Sequence, residues 1–105
     1  EQTMDLVHAF DAARANVLAL FQDDVKNEHF NVGSGVETKV KDLLALIEKL
    51  LSKKARVKHV PSDPHLVRRR CASIEKIRKA LGFEPSIDVE TGTRRYIEYL
   101  LAGRI

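Results

Sequence analysis

The sequence has a single cysteine, Cys71, and no tryptophan. One cysteine excludes a disulfide bridge within the chain, which fits a reducing compartment, and we therefore expect a cytoplasmic location. No apolar run approaches the roughly 18 residues that a membrane-spanning helix requires. The longest such run, residues 42–51, contains Asp42, Glu48 and Lys49. The sequence thus predicts neither a disulfide-stabilised secreted domain nor a membrane protein.

The excess of positive over negative charge is also small. The chain has 18 basic and 15 acidic residues, so its net charge is only +3. So small an excess does not indicate a nucleic-acid-binding protein. Aromatic residues make up 6% of the chain and form no stacking platform for single strands. The basic residues do cluster, between Lys53 and His59 and again at Arg68, Arg69 and Arg70. Binding to nucleic acid through these clusters is nevertheless the least favoured hypothesis.

What remains is an ordinary globular composition, with 44% hydrophobic and 31% charged residues in a chain of 105. Apolar spacing predicts four helices, and the clearest has aliphatic residues on one stripe between Val40 and Leu51. Gly92 falls inside the last helix, where glycine costs about 1 kcal/mol relative to alanine, so we expect a close backbone contact there. The expected N-caps are Asp11, Thr38, Ser73 and Asp88, with Gly82 as a left-handed C-cap.

Three short strands are predicted, at residues 5–8, 29–32 and 56–60. The Gly33–Gly35 segment after the second strand predicts a tight turn rather than a dinucleotide-binding loop, because the third glycine position holds Thr38. The fold class is therefore α/β, with few short strands and four helices. So few strands do not make a self-sufficient sheet, and their edges would need neighbours from a larger protein.

Four segments occur in a characteristic order along the chain. Met4–Ala15 reads MDLVHAFDAARA, and Phe30–Gly35 reads FNVGSG. Leu81–Pro85 ends a helix with LGFEP, and Ile87–Gly92 opens the last helix with IDVETG. Together they resemble, over nearly the whole chain, the C-terminal third of the extended short-chain dehydrogenase/reductases, the NAD-dependent nucleotide-sugar epimerases and dehydratases.

The resemblance implies the C-terminal portion of a Rossmann-type epimerase, including its small substrate-binding domain. Residues 1–52 would form the last strand–helix units of the Rossmann half, and residues 53–105 the small nucleotide-sugar-binding domain. The implied partners are the N-terminal Rossmann half of the same enzyme and a nucleotide-sugar substrate. We also expect a homo-oligomer, because unpaired strand edges and exposed apolar helix faces favour self-association.

Two motifs with which the family performs its chemistry are missing from this sequence. The G-x-x-G-x-x-G loop does not occur, and neither does the Tyr-x-x-x-Lys pair, since Tyr96 is followed by Leu100 and Tyr99 by Gly103. We therefore expect no catalytic residue and no cofactor-binding residue in this chain, with NAD implied only for the full-length family enzyme.

Arg68, Arg69 and Arg70 are the candidate substrate-binding residues. A guanidinium group suits a diphosphate because its planar fork donates two hydrogen bonds to phosphate oxygens. The family's R-R-x-G-D loop aligns with residues 62–66, which lack arginine, and its second diphosphate-binding arginine is Met4 here. In an extended segment Arg68 and Arg70 would point the same way and could substitute. A solvated basic strand is the alternative interpretation.

No metal site is predicted, because the histidines show neither a helical i, i+4 pair nor a cysteine partner. Cys71 is expected to be a buried, inert thiol. Two functional hypotheses stay open. The chain is either the substrate-binding segment of a nucleotide-sugar epimerase or dehydratase, or a stand-alone α/β binding or interaction module that keeps this shape without chemistry.

Overall fold

The computed structural model describes residues 1–103, so the last two positions of the predicted 53–105 domain lie outside it. The α/β class with four helices is confirmed, although the described residues form two short strands instead of three. In chain order the elements are β1 (Thr3–Asp5), α1 (Ala9–Phe21), β2 (Glu37–Lys39), α2 (Val40–Leu51), α3 (Glu75–Leu81) and α4 (Val89–Leu101). Within residues 1–103, no helix has both the length and the apolar character needed to cross a membrane.

The strands form a small antiparallel sheet, and a third, irregular segment is attached to it. The register places Thr3 opposite Lys39, Met4 opposite Thr38, and Asp5 opposite Glu37. On the other side of β1, the Thr3 N–H donates to the carbonyl oxygen of Arg68 at 2.8 Å. The three arginines therefore lie along one edge of this sheet.

The predicted strand positions are wrong. Strand β1 ends at Asp5 instead of beginning there, because residues 6–8 lead directly into α1. Residues 29–32 and 56–60 have no regular structure, and in the described part of the chain neither segment pairs with a strand. Alternating apolar residues form a strand only where a neighbouring strand accepts their hydrogen bonds. Such a neighbour is a tertiary feature that local pattern does not reveal.

Helix ends were predicted with mixed success. Asp88 is confirmed as the N-cap of α4, since its carboxylate accepts the Thr91 N–H at 2.7 Å. Gly82 is confirmed as the left-handed C-cap of α3, with φ of 65°. The close contact expected at Gly92 is also confirmed, because a Cβ added there would lie 3.2 Å from His8 Cδ2.

The other three predicted N-caps are wrong. Helix α1 is capped by His8 instead of Asp11, α2 by Lys39 instead of Thr38, and α3 by Ile74 instead of Ser73. The Nδ1 atom of His8 accepts the Phe10 N–H at 3.1 Å, so α1 begins before Asp11. Strand β2 continues through Lys39, and the first helical amide, that of Val40, donates to the Gln2 carbonyl instead of to a side-chain cap.

The core lies between α1 and α3. Its buried apolar residues are Ala15, Ile74, Ile77, Leu81 and Phe83. No residue of α2 is fully buried, even though its apolar stripe is the strongest helical pattern in the sequence. The stripe is half-buried instead, and part of it lines an open groove between α2 and α4.

Candidate functional site

Arg69 is held in an ion pair at the surface of the sheet. Its Nε and Nη2 atoms donate to the two carboxylate oxygens of Glu37 at 2.7 and 2.8 Å. The Thr3 hydroxyl donates to the same carboxylate at 2.6 Å. The hydrogen bond from Arg69, followed by that from Thr3, lowers the pKa of Glu37 from 4.5 to about 2. Arg69 is therefore already engaged with a carboxylate, although its side chain is 76% exposed.

Arg70 lies elsewhere, at a small surface cavity of about 110 Å³. The cavity is also lined by Met4 and Val40 from the sheet region and by Leu66 and Val67 from the preceding loop. Among residues 1–103, neither Arg68 nor Arg70 forms an ion pair, in contrast to Arg69. The structure thus separates the three predicted site residues, and Arg70 is the one whose guanidinium is free beside a cavity.

Asp5 ties the glycine turn to the segment that follows the arginines. Its carboxylate accepts the Ser34 N–H at 2.7 Å, the Gly35 N–H at 3.0 Å and the Ala72 N–H at 3.0 Å. Burial raises the pKa of Asp5, but these bonds and one from the Ser34 hydroxyl outweigh it and lower the pKa. Sequence reasoning missed this role because the partners lie 29 to 67 residues away.

The tight turn predicted at residues 33–35 is confirmed, with a left-handed φ of 73° at Gly35. A Cβ on Gly33 would lie 2.8 Å from both Asp5 and Ala72, so only glycine fits there. The Ser34 and Gly35 amides both donate to Asp5. The turn therefore serves to anchor β1, and its amides do not present a cradle for a phosphate group.

Asp11, predicted as a cap, is instead a buried anchor for the loop before α4. Only 1% of its surface is exposed, and its carboxylate accepts the Ser86 hydroxyl at 2.7 Å and the Ser86 and Ile87 amides at 3.0 Å. Arg14 adds a fourth partner at 3.2 Å. Burial raises the pKa of Asp11, but the hydrogen bonds outweigh it and bring the pKa from 3.8 to about 2.

The lowered pKa values of Asp5, Asp11 and Glu37 predict a loss of stability in acid. A carboxylate whose folded pKa lies below its unfolded value stabilises the protein above the unfolded pKa, and this contribution disappears as pH falls through the folded pKa. We expect the free energy of unfolding to be level from pH 7 to 5 and to fall between about pH 4.5 and 2. Urea unfolding followed by circular dichroism at each pH measures this. A flat profile down to pH 2.5 would contradict it.

Cys71 is exposed, so the expectation of a buried thiol is wrong. It lies in the irregular segment at the sheet edge, next to the exposed Arg70. Among residues 1–103 no cluster of three or more histidine, cysteine, aspartate or glutamate side chains is placed to hold a metal ion. The described site therefore consists of the sheet edge and its arginines.

Comparison with known proteins places this geometry in a family. No protein-family model matches the chain. A putative UDP-glucose 4-epimerase of Methanocaldococcus jannaschii is 32% identical over 99 residues, which cover 94% of this chain and 31% of that protein. The crystal structure of the UDP-glucose 4-epimerase of Thermotoga maritima with UDP-glucose matches with a TM-score of 0.89 and 30% identity. This match covers 100% of this chain and 33% of the Thermotoga chain.

The structure of the UDP-glucuronic acid 4-epimerase of Bacillus cereus, with UDP-glucuronic acid and NAD, matches with a TM-score of 0.84 and 26% identity. That match covers 94% of this chain and 33% of the Bacillus chain. The chain thus spans about a third of the length of the proteins that it matches. It belongs to the extended short-chain dehydrogenase/reductases, the family of the nucleotide-sugar epimerases and dehydratases, and corresponds to their C-terminal part.

Proposed function

We propose that this chain is the substrate-binding C-terminal segment of an NAD-dependent nucleotide-sugar epimerase or dehydratase and that it is not catalytic alone. One observation carries the proposal. Met4 stands where the resemblance expects a diphosphate-binding arginine, and Arg70 lines the same cavity as Met4. A guanidinium is therefore supplied to this part of the sheet edge by a neighbouring segment instead of by β1.

Arg70 has the chemistry that this role requires. Its planar fork can donate two parallel hydrogen bonds to the oxygens of a diphosphate, and no carboxylate within residues 1–103 competes for it. Arg68 adds a second unpaired cation close by in the chain. The apolar side chains of Met4, Val40 and Leu66 line the same cavity, and apolar surroundings strengthen such a contact.

The N-terminal half of the enzyme is the proposed partner. Helices α1 and α4 expose large apolar side chains, among them Phe10, Leu20, Phe21, Tyr96 and Leu101. Segment 6–9, α2 and α4 also surround an open, mainly apolar groove of about 460 Å³. Apolar surface of this extent is unusual on a monomer that works by itself. A homo-oligomer, the domain boundary after residue 52 and a cytoplasmic location remain predictions.

NAD is proposed to bind the N-terminal half and not this chain. The one glycine-rich turn among residues 1–103 that precedes a helix uses its Ser34 and Gly35 amides to hold Asp5. These residues therefore do not fit a dinucleotide phosphate. In the assembled enzyme NAD would supply hydride transfer, and the contribution of this chain would be to position the nucleotide sugar.

The proposal is tested by replacing Arg70 with alanine and measuring the binding of uridine diphosphate to the chain by calorimetry. We expect the dissociation constant to rise about tenfold or more, because a hydrogen bond to a charged group is worth roughly 1.5–3 kcal/mol. Arg95→Ala is the matched control, since Arg95 is exposed on α4, away from the sheet edge. Equal affinities of the two variants, or no binding of uridine, thymidine or guanosine diphosphate to the unmodified chain, would refute the proposal.

A further inference from the structure

The segment that carries the arginines is fixed to the sheet at three points. At its start the Thr3 N–H donates to the Arg68 carbonyl at 2.8 Å, and at its end the Ala72 N–H donates to Asp5 at 3.0 Å. Between these two backbone ties, the side chain of Arg69 connects the segment to strand β2 through its pair with Glu37. The segment has no regular secondary structure, and these ties hold it against the sheet.

The tie at Arg69 has a geometric consequence for its neighbours. In strand β1, successive side chains point to opposite faces, so Met4 lies on the face opposite Thr3. Thr3 and Glu37 lie on the same face of the sheet, and their side chains are joined by a hydrogen bond of 2.6 Å. Arg69 reaches this face, whereas Arg70 lines the cavity beside Met4, the residue that follows Thr3 in β1. Holding Arg69 on one face therefore directs Arg70 to the other.

Charge repulsion among the three arginines favours the tie. Three consecutive guanidinium groups repel one another, and Glu37 neutralises the middle one in a two-pronged pair whose geometry Thr3 helps to fix. Without Glu37, Arg69 would be a free cation on an irregular segment and could turn toward either face. The segment would then sample conformations in which Arg70 leaves the cavity, and ordering it again would weaken any binding.

We propose that Glu37 is a positioning residue for nucleoside-diphosphate binding, which acts by holding Arg69 on its own face of the sheet and so keeping Arg70 at the cavity beside Met4. This inference rests on the proposed role of Arg70. Glu37 itself does not touch the ligand. Its effect on affinity is therefore expected only in proteins that retain Arg70.

A double-mutant cycle with uridine diphosphate as the probe tests this. The four proteins are the unmodified chain, Glu37→Gln, Arg70→Ala and the double variant, each measured by calorimetry. We expect Glu37→Gln to weaken binding about fivefold when Arg70 is present and less than twofold when it is absent. Arg69→Ala should give the same pattern, and it provides an independent measurement if Glu37→Gln does not fold. Urea unfolding of each variant shows which of them are folded.

The effect of Glu37→Gln with and without Arg70 distinguishes a positioning role of Glu37 from the alternatives. Equal weakening by Glu37→Gln in both backgrounds would mean a general structural loss and would overturn the inference. Tighter binding by Glu37→Gln would show that Glu37 competes with the phosphate for Arg69, which also overturns it. If Arg70→Ala weakens binding and Glu37→Gln does not, only this inference fails. If Arg70→Ala has no effect, the proposed function fails, and the inference fails with it.

Discussion

Replacement of Asp11 by alanine is expected to lower the free energy of unfolding by about 3 kcal/mol. The carboxylate is almost completely buried and accepts hydrogen bonds from the Ser86 hydroxyl, from the Ser86 and Ile87 amides and from Arg14. Alanine would leave these donors without their acceptor in a site from which water is excluded. Because small domains are stable by only roughly 5–15 kcal/mol, this loss is a large part of the total.

Urea unfolding at pH 7, followed by far-UV circular dichroism, measures this effect. Asp23→Ala is the matched control, because Asp23 is exposed beyond the end of α1. The control is expected to stay within about 0.5 kcal/mol of the unmodified chain. An Asp11→Ala variant that is as stable as the control would show that the hydrogen bonds of Asp11 contribute nothing to the free energy of unfolding. The free energy of unfolding of the Asp11 variant should also fall less between pH 4.5 and 2 than that of the unmodified chain.

Replacement of Phe83 by alanine is expected to cost about 4 kcal/mol, since removing a phenyl ring from a well-packed core typically costs 3–5 kcal/mol. Phe83 is 0% exposed and belongs to the core cluster with Ile77, Leu81 and Ala15. The Arg14 guanidinium lies 5.1 Å from the ring centroid, so the substitution also removes a cation–π contact. The cavity left behind would lie in the core between α1 and α3.

Phe21→Ala is the control for this experiment. It deletes the same ring from a side chain that is 77% exposed at the end of α1, so the change in stability should be within about 0.5 kcal/mol. A cost at Phe83 no greater than at Phe21 would contradict the position of the core. If Phe21 lies in the proposed interface with the N-terminal half, the same variant should weaken that association while leaving the stability of the isolated chain unchanged.

The helices were predicted well because helix signals are local. The 3.6-residue apolar spacing of Val40–Leu51, the Asp88 cap and the Gly82 C-cap all act within a few residues of where they stand. The strands were predicted poorly because each needs a partner elsewhere in the chain. Strand β2 lies at Glu37–Lys39, where the sequence predicts only the helix cap Thr38, and it forms because β1 lies beside it.

Family membership also followed from the sequence, because turn glycines, caps and helix endings recur at fixed spacings and are visible without coordinates. The resemblance of four ordered segments to the C-terminal third of the extended short-chain dehydrogenase/reductases is confirmed by matches that cover nearly all of this chain and about a third of its relatives. The arginine cluster is also evident from the sequence, because its three residues are consecutive in the chain.

Only the tertiary structure distinguished the members of that cluster. The sequence predicts that Arg68 and Arg70 point the same way, but it does not show that Glu37, 32 residues away, engages Arg69 and leaves Arg70 beside Met4. In the same way, Asp11, which the sequence predicts as a cap, and Asp5, which it places in a strand, are anchors because distant backbone amides converge on their carboxylates. Spacing along the chain determines helices and turns, whereas the pairing of charges and buried donors depends on which distant segments folding brings together.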